Sequence, residues 1–398
     1  MTGLFPPLTD ETRLILCRLG GLIDKTFPMP GRFRTGLPKD VAELSRLLTS
    51  ARMERGASYL GKPALLSAYL RYFMPWNIYR LCRLLISLTL ELKPGDVVND
   101  LGSGPLTLAA SLWISKPLLR NIPLEFRCID KTPSVLEAGK KFFAALTSSV
   151  SEAKPCPWTL KTIHGEIKKN GKLSAQIRGK PAALTAAVNV YNEIFWGFSP
   201  LDLEGLEHFA EKQADLLSSL TDRTGSILVV EPGIPRSGEF VSQLRSFLLK
   251  RERFPLSPCT HNSVCPFPGG QSKNKNKWCH FSFDTEDAPL DLHKLSAASG
   301  IPKERAVLSF LLSGPMPDKI KSKKDKTRIR IISDLFPLGG EKTKESENWG
   351  RYGCSERGMV LVSGSRKTIE KTYSGTLEEL PLTAGKIDSK SGALIAQL

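Results

Sequence analysis

The sequence has little of what a membrane-spanning or secreted protein requires. Its longest apolar stretch, LLISLTLEL at 84–92, is far shorter than the roughly 20 residues that cross a bilayer, and we assign it to a core helix. The N-terminus lacks both the basic region and cleavage site of a signal peptide and the Arg- and Ser-rich composition of a transit peptide. We therefore expect a cytoplasmic protein without a membrane partner.

Acidic residues are few relative to basic ones. The 398 residues include 40 Asp and Glu against 56 Lys and Arg, which gives a formal net charge of +16. A field of this sign concentrates polyanions at the protein surface, so nucleic acid is the expected partner. The alternative is that the charge serves solubility alone.

The chain is long enough for two or three domains, and its pattern changes along its length. Residues 1–95 are predicted to form a helical region, with Pro75 dividing its last long helix in two. Residues 96–254 alternate short apolar runs with helix-length segments, which predicts a parallel α/β sheet of Rossmann type. Residues 255–382 are expected to form a cysteine-bearing, β-rich extension, followed by a weakly ordered tail at 383–398.

A glycine loop follows the first predicted strand. Asp100, Gly102 and Gly104 lie between that strand and a predicted helix, and Asp130 ends the second strand. Glycines let the backbone approach a ligand closely, amides at a helix start supply donors, and a strand-terminal acid can accept both ribose hydroxyls. The pattern resembles motifs I and II of class I S-adenosylmethionine-dependent methyltransferases, which implies that fold and that cofactor. A tight turn without a ligand is the alternative.

Two features of this region depart from the methyltransferase pattern. Leu106 occupies the position of the usual third glycine, and a bulky side chain there is expected to narrow the methionine pocket. The fourth strand ends in Tyr191, Asn192 and Glu193 and lacks both an Asn/Asp-Pro-Pro-Tyr turn and a Pro-Cys pair. The catalytic residues therefore stay unknown, and these three side chains are candidates for the pocket rim. Glu166 is a candidate for adenine contact, with a solvated loop acid as the alternative.

Four of the eight cysteines occur in turns typical of metal ligands. Cys259, Cys265 and Cys279 lie in a Pro- and Gly-rich stretch, and Cys354 follows far downstream. Thiolates from such turns are typical of zinc or an iron–sulfur cluster. The spacing is not that of a C-x-x-C zinc finger, and His261 and His280 leave a mixed Cys/His zinc site open.

The segments PCTHNSVCPF and KWCHFSF resemble the cysteine signature of the mitochondrial small-ribosomal-subunit methyltransferase-like family and its bacterial relatives. LPKDVAELSRLLTSAR, DLGSGP and LVVEPGIP agree with it, so the resemblance runs from about residue 35 to 365. It implies a [4Fe–4S] cluster held by the four cysteines Cys259, Cys265, Cys279 and Cys354. It also implies a role on 16S-type rRNA of the small ribosomal subunit, in assembly or translation. The insertion QSKNKNK departs from the family pattern.

A basic run precedes the last predicted strands. Lys319, Lys321, Lys323, Lys324, Lys326, Arg328 and Arg330 are opposed only by Asp325, and Lys273, Lys275 and Lys277 lie in the insertion. Contact with the phosphates of structured RNA is the favoured interpretation, and a solvated surface is the alternative. Two functions follow: an RNA-bound assembly or translation factor with a methyltransferase fold, or an active rRNA methyltransferase. A DNA partner is not expected.

Overall fold

The structure is a computed structural model that describes residues 3–54, 59–150, 155–196, 202–268, 277–317, 325–338 and 348–398. The predicted helical region is confirmed. Its helices are α1 (Asp10–Thr26), α2 (Gly31–Arg34), α3 (Leu37–Leu48), α4 (Pro63–Ala68) and α5 (Met74–Leu85). Pro75 does not break the chain between α4 and α5, because a π-helical turn at Tyr69–Phe73 joins them and Pro75 lies in the first turn of α5, where no amide donor is needed. None of the described helices is long and apolar enough to cross a membrane.

A large sheet follows, and all five strands predicted for it are present. The strands are β1 (Asp96–Leu101), β2 (Leu124–Asp130), β3 (Thr159–His164), β4 (Ala182–Val188), β5 (Thr221–Pro232), β6 (Phe254–Ser257), β7 (Phe281–Asp284) and β8 (Arg305–Gly314). The helices of this part are α6 (Thr107–Ser115), α7 (Pro133–Val150), α8 (Tyr191–Phe195), α9 (Leu203–Leu220), α10 (Pro235–Leu249) and α11 (Leu290–Ala298).

The order of these strands defines a doubly wound sheet. It runs β3-β2-β1-β4-β5-β8-β6, with β7 paired to β8. The first five strands are parallel, and β8 is antiparallel to its neighbours β5 and β6. The chain reverses its direction of travel between β1 and β4, which is where such sheets bind ligands. The predicted Rossmann-type α/β fold is therefore confirmed.

Both faces of this sheet are covered. The N-terminal helices, α6 and α7 share a buried cluster with one face, in which Val98, Phe126 and Leu184 are fully buried. Helices α9 and α10 cover the other face, over Leu101, Ala187 and Val229. The near-continuous burial of β4 explains why its residues, AALTAAV, are apolar at every position but one instead of alternating.

A second sheet closes the chain, as the predicted β-rich extension requires. Its elements are β9 (Thr327–Ile331), β10 (Phe336–Pro337), β11 (Asn348–Ser355), β12 (Gly358–Ser365), α12 (Arg366–Ile369), β13 (Leu377–Leu380), β14 (Leu382–Ile387) and β15 (Leu394–Gln397). The strand order is β13-β9-β11-β12-β15-β14, with β10 paired to β11.

Two predicted boundaries differ from the structure. Strands β6, β7 and β8 belong to the first sheet, whereas the sequence places them beyond a boundary at 254. The tail predicted to be weakly ordered forms β14 and β15 instead. Strand β15 pairs in parallel with β12, and Ala396 is fully buried there, so pairing and burial order a segment whose composition does not.

Candidate ligand cavity and cysteine site

The glycine loop leaves β1 in a conformation that suits glycine. Gly102 has φ +72° and Gly104 has φ +54°. A Cβ on Gly102 would lie 2.4 Å from a methyl of Val190, so any larger residue would displace the segment after β4. The backbone here is therefore left-handed and closely packed, as the motif predicts.

Asp130 is joined to this loop. Its carboxylate accepts the backbone N–H of Gly104 at 2.9 Å and that of Thr132 at 2.8 Å. Burial raises the pKa of Asp130, and these two amides oppose the rise. Because each carboxylate oxygen can accept two hydrogen bonds, Asp130 keeps acceptor capacity for further donors.

Asp100, at the end of β1, is almost fully buried and accepts a hydrogen bond from the Ser103 hydroxyl at 2.6 Å. Burial raises its pKa to about 7, and the nearby charge of Asp130 adds to the rise. A carboxyl so placed is poised to gain or lose its charge near neutral pH.

These four predicted residues line one cavity of about 440 Å³ at the reversal between β1 and β4. This volume lies within the range of sites for small molecules and cofactors. Strand ends and the N-terminal region both contribute to the wall. It is formed by Tyr59, Leu60, Tyr69, Asn77, Asp100, Gly102, Ser103, Gly104, Thr107, Leu108, Asp130, Lys131, Thr132, Val135, Gly165, Glu166, Ile167, Lys168, Lys169, Val188, Asn189, Val190, Glu193 and Ile194.

Leu106 does not line this cavity, so the expectation that it narrows the pocket is wrong. Its backbone takes the left-handed conformation of the glycine it replaces, with φ +58°. Its side chain is fully buried and packs on α7, where a Cβ at Gly139 would lie 2.5 Å from its Cδ1. The bulk of the leucine is thus directed into the protein interior.

Of the three residues after β4 that were predicted to form the pocket rim, one lines the cavity. Glu193 lines the cavity, as does Glu166 after β3. The prediction that Tyr191 lies at the rim is wrong, because its ring is fully buried and packs against Phe209 and Phe240. Asn192 is also buried and is outside the lining.

Glu231 is a structural determinant of this region that the sequence interpretation missed. It is fully buried at the end of β5 and accepts the backbone N–H groups of Tyr191 and Asn192, at 2.8 and 3.0 Å. Burial raises its pKa to about 7. An acid inside the apolar run ILVVEPG was the available signal, since an acid is rarely buried without partners.

Arg80 of α5 was missed as well. Its Nη2 donates to the side-chain oxygens of Asn189, at 2.6 Å, and of Asn77, at 3.2 Å. Both asparagines line the cavity. Burial lowers the pKa of Arg80 to about 10. One arginine from the N-terminal region therefore orients two amides in the cavity wall.

The structure brings the four predicted cysteine ligands together from different elements. Cys259 and Cys265 lie in the loop after β6, Cys279 precedes β7, and Cys354 lies in β11 of the second sheet. Each of Cys259, Cys265 and Cys279 acts electrostatically on Cys354. The other four cysteines, Cys17, Cys82, Cys128 and Cys156, lie elsewhere in the fold.

The electrostatics of these thiols have two opposing sources. Burial raises the pKa values of Cys259, Cys279 and Cys354, and neighbouring thiols raise all three further. The positive charge of Arg245 lowers the pKa of all three, and Arg330 lowers those of Cys259 and Cys279. The two arginines are the cations that would compensate several thiolates in one buried place.

The positions of the thiols and of nearby side chains determine which metal group they can bind. Within the described ranges, no three or more His, Cys, Asp or Glu side chains are gathered closely enough to hold one metal ion. His261 is nevertheless adjacent, with Nε2 at 3.2 Å from the sulfur of Cys354 and a buried Nδ1 that has no hydrogen-bond partner. The described thiols therefore act on one another electrostatically without forming a gathered site for a single metal ion.

Most of the predicted basic surface lies outside the described residues. This applies to Lys273, Lys275, Lys319, Lys321, Lys323 and Lys324. Among those described, Arg330 is directly opposite Cys354 on neighbouring strands and donates to the carbonyl oxygens of Pro258 and Gly375. Arg330 therefore serves the cysteine site.

Comparison with known families supports the resemblance drawn from the cysteine segment. Residues 158–334 match the model of the family described as mitochondrial small ribosomal subunit Rsm22. The matched range is narrower than the range of 35 to 365 expected from the motifs. It includes Cys259, Cys265 and Cys279 and leaves out Cys354 and the glycine loop. No curated protein matches the chain significantly.

Among solved structures, methyltransferases are similar to the chain at low identity. A putative class I S-adenosylmethionine-dependent methyltransferase from Listeria monocytogenes is 10% identical, with 79% of this chain and 90% of that chain covered and a TM-score of 0.33. A putative methyltransferase from Thermoplasma acidophilum is 11% identical, covering 57% and 71%, with a TM-score of 0.29. Precorrin-6y C5,15-methyltransferase from Geobacter metallireducens is 9% identical, covering 61% and 87%, at 0.31. The strand order, and not these likenesses, carries the fold assignment.

Proposed function

We propose that this methyltransferase-like chain binds S-adenosylmethionine in the cavity between β1 and β4 and acts on the rRNA of the small ribosomal subunit. The observation that carries the proposal is the convergence of Asp100, Gly102, Gly104 and Asp130 on that one cavity. A left-handed glycine loop, a helix start and a strand-terminal acid are together the parts that a Rossmann-type sheet uses for a ribose-containing ligand.

The strand order supports one orientation of the ligand. With the ribose on Asp130 of β2, one end of the ligand faces the segment 165–167 after β3 and the other faces β1 and β4. Ile167 offers an apolar contact for adenine. Asp100 and Glu193, at the other end, suit the ammonium and sulfonium charges of the methionine moiety, since opposite charges attract strongly where water is excluded.

Two observations support the small ribosomal subunit as the partner. The matched family is a small-subunit family, and its range covers the cysteine segment and β8. The net charge of +16 favours a polyanion such as rRNA. We propose a cytoplasmic location for this chain, whereas the matched family is described as mitochondrial.

The alternative is a catalytically active rRNA methyltransferase. The open cavity favours it, because Leu106 faces α7 and leaves the methionine end unobstructed. We assign no described side chain as nucleophile or general base. The proposed function therefore requires binding of S-adenosylmethionine and of rRNA, and it does not require methyl transfer.

We also propose that Cys259, Cys265, Cys279 and Cys354 hold a [4Fe–4S] cluster. Four mutually interacting thiols, two buried arginines and a buried histidine suit an anionic thiolate-bound group. Zinc is the alternative, because thiolates together with a nearby histidine also suit that ion. When bound, the cluster would link the two sheets covalently through metal–thiolate bonds.

One experiment separates the proposed functions. Small ribosomal subunits are incubated with the purified protein and S-adenosylmethionine labelled at the methyl group, then sedimented. Protein that co-sediments while the rRNA stays unlabelled supports the assembly or translation factor, and label in rRNA supports the enzyme. Protein that neither sediments with the subunit nor labels it contradicts the ribosomal role.

A further inference from the structure

An arginine–tryptophan pair lies on the surface next to the ligand cavity. The guanidinium carbon of Arg52 is 4.1 Å from the ring centroid of Trp196, while the Trp196 residue remains 40% exposed. An exposed indole lacks the favourable free energy that burial of its apolar surface would give. A guanidinium stacked on the ring limits the motion of both side chains. The pair is therefore an ordered aromatic surface in contact with water.

A chain of hydrogen bonds ties this pair to the sheet. Nη1 of Arg52 donates to both the backbone oxygen and Oδ1 of Asn192, at 3.1 and 3.0 Å. Asn192 in turn donates its backbone N–H and its Nδ2 to Glu231, at 3.0 and 2.8 Å. Because Glu231 is fully buried at the end of β5, the position of Arg52 is determined by the core.

Each residue of the pair is close in sequence to residues that line the cavity. Glu193 and Ile194, which follow Asn192 in α8, line the cavity. Tyr59 and Leu60, which follow Arg52 in the N-terminal region, also line it. A group bound on Trp196 would therefore lie close to the residues that line the ligand cavity.

Exposed charges at this entrance are mainly basic on the side of β2 and β3. Lys131 and Lys168 line the cavity and are exposed, and Glu166 is the exposed acid between them. The lysines follow β2 and β3, whereas Trp196 follows β4, so a strand of RNA with one base on Trp196 would lead across the cavity toward these cations. Unpaired nucleotides are bound in this way, with bases stacked on aromatic rings and phosphates on cations.

We propose that Trp196 and Arg52 form a stacking platform for an unpaired nucleobase of RNA at the entrance of the ligand cavity. A base within a duplex cannot present its face to a side chain, so the platform selects single-stranded or extruded nucleotides. This inference rests on the proposed function, in which RNA is the partner, and it adds the form of RNA that the site accepts.

The experiment measures RNA affinity of the full chain by fluorescence anisotropy. The probes are a single-stranded RNA of about twelve nucleotides, a length within ordinary single-strand site sizes, and its blunt duplex. Trp196→Ala should weaken single-strand binding roughly tenfold, the usual effect of losing one base–aromatic stack. Trp196→Phe should retain most of the affinity, and binding to the duplex should change little.

The chain supplies a matched control. Trp349 of the second sheet is also stacked under an arginine, with the guanidinium carbon of Arg366 at 5.0 Å from its ring, but it lies outside the cavity lining. Trp349→Ala should leave single-strand affinity unchanged. An equal loss in both variants, or wild-type affinity in Trp196→Ala, overturns the platform.

Two further measurements keep the outcomes distinguishable. Calorimetry with S-adenosylmethionine should give the same affinity for the wild type and Trp196→Ala, because Trp196 is outside the cavity lining. A wild type that binds neither this ligand nor rRNA contradicts the proposed function itself. If Trp196→Ala does not fold, photocrosslinking of a 4-thiouridine RNA to the wild type decides: adducts on the peptide with Trp196 support the platform, and adducts only elsewhere overturn it.

Discussion

Nε2 of His261 lies 3.2 Å from the sulfur of Cys354, although 93 residues separate the two in sequence. The contact joins the loop after β6, at the edge of the first sheet, to β11 of the second sheet. Cys354 is also opposite Arg330 of β9. The cysteine site is therefore one of the places where the two sheets contact each other, and the cluster proposed for it would stabilise the whole chain.

Replacing Cys354 tests this relationship. Cys354→Ser should lower the iron and sulfide content of anaerobically purified protein and also the free energy of unfolding, because the binding energy of a structural site is also folding energy. Cys17→Ser, at an exposed position outside the site, is the control and should change neither. Colourless wild-type protein containing one zinc ion per chain would contradict the cluster while retaining the four-cysteine site.

Leu106 allows a test of the cavity's shape. Leu106→Gly should leave the affinity for S-adenosylmethionine unchanged, because the leucine side chain packs on α7. It should destabilise the protein by about 1–3 kcal/mol, since lost burial outweighs the relief of a left-handed backbone. The checks are calorimetry and urea unfolding. A clear gain in affinity would show that the side chain does restrict the cavity.

The buried Asp100 predicts a pH dependence of stability in the unliganded protein. Burial raises its folded pKa from 3.8 to about 7, so the unfolded chain loses this proton first as pH rises. The contribution is therefore fully present below about pH 4 and is lost as pH rises through 7. Between pH 5 and 8 this group should cost at most about 3 kcal/mol of unfolding free energy.

Urea unfolding at both pH values measures this effect. Asp100→Asn should lose less stability than the wild type over that interval, while Glu91→Gln, at an exposed position, should follow the wild type. Identical pH profiles for the wild type and Asp100→Asn would mean that Asp100 stays ionised in the fold.

The basic run predicts the salt dependence of rRNA binding. If Lys321, Lys323, Lys324 and Lys326 contact phosphates, their replacement by Gln should flatten the log–log salt slope by up to about three units. The change should be similar for many RNA sequences, because phosphate contacts carry no base information. A variant that binds as the wild type does would identify the run as a solvated surface.

The five parallel strands of the first sheet could be predicted because each is a short, mainly apolar run bounded by turn residues, as in DVVNDLG and GSILVVEPG. The residues of the glycine loop could also be predicted, because they lie within a few positions of one another in the sequence. The contributions of Arg80 and Tyr69 to the cavity could not be predicted. Tyr69 lines it and Arg80 binds two lining asparagines, and both come from helical segments whose packing depends on the whole core. Glu231 was missed because its three N–H donors come from a segment 40 residues away.

The C-terminal region shows the same limit. Strand β15 has only four residues, and it is ordered by parallel pairing with β12, which no local pattern reveals. Strand β8 has an apolar run that predicts burial but not its place between β5 and β6. The cysteine ligand set followed from a family resemblance, whereas Arg245 and Arg330 beside it became visible only in the structure.

Titration of the purified protein with S-adenosylmethionine by calorimetry tests the central claim most directly. The wild type should show saturable binding, and Asp130→Ala should weaken it by about 1–3 kcal/mol, the cost of leaving buried ribose hydroxyls unpaired. Asp222→Ala, at the opposite end of the sheet, should bind as the wild type does. No detectable binding by the folded wild type at millimolar ligand would contradict the account and leave the Rossmann domain as a scaffold.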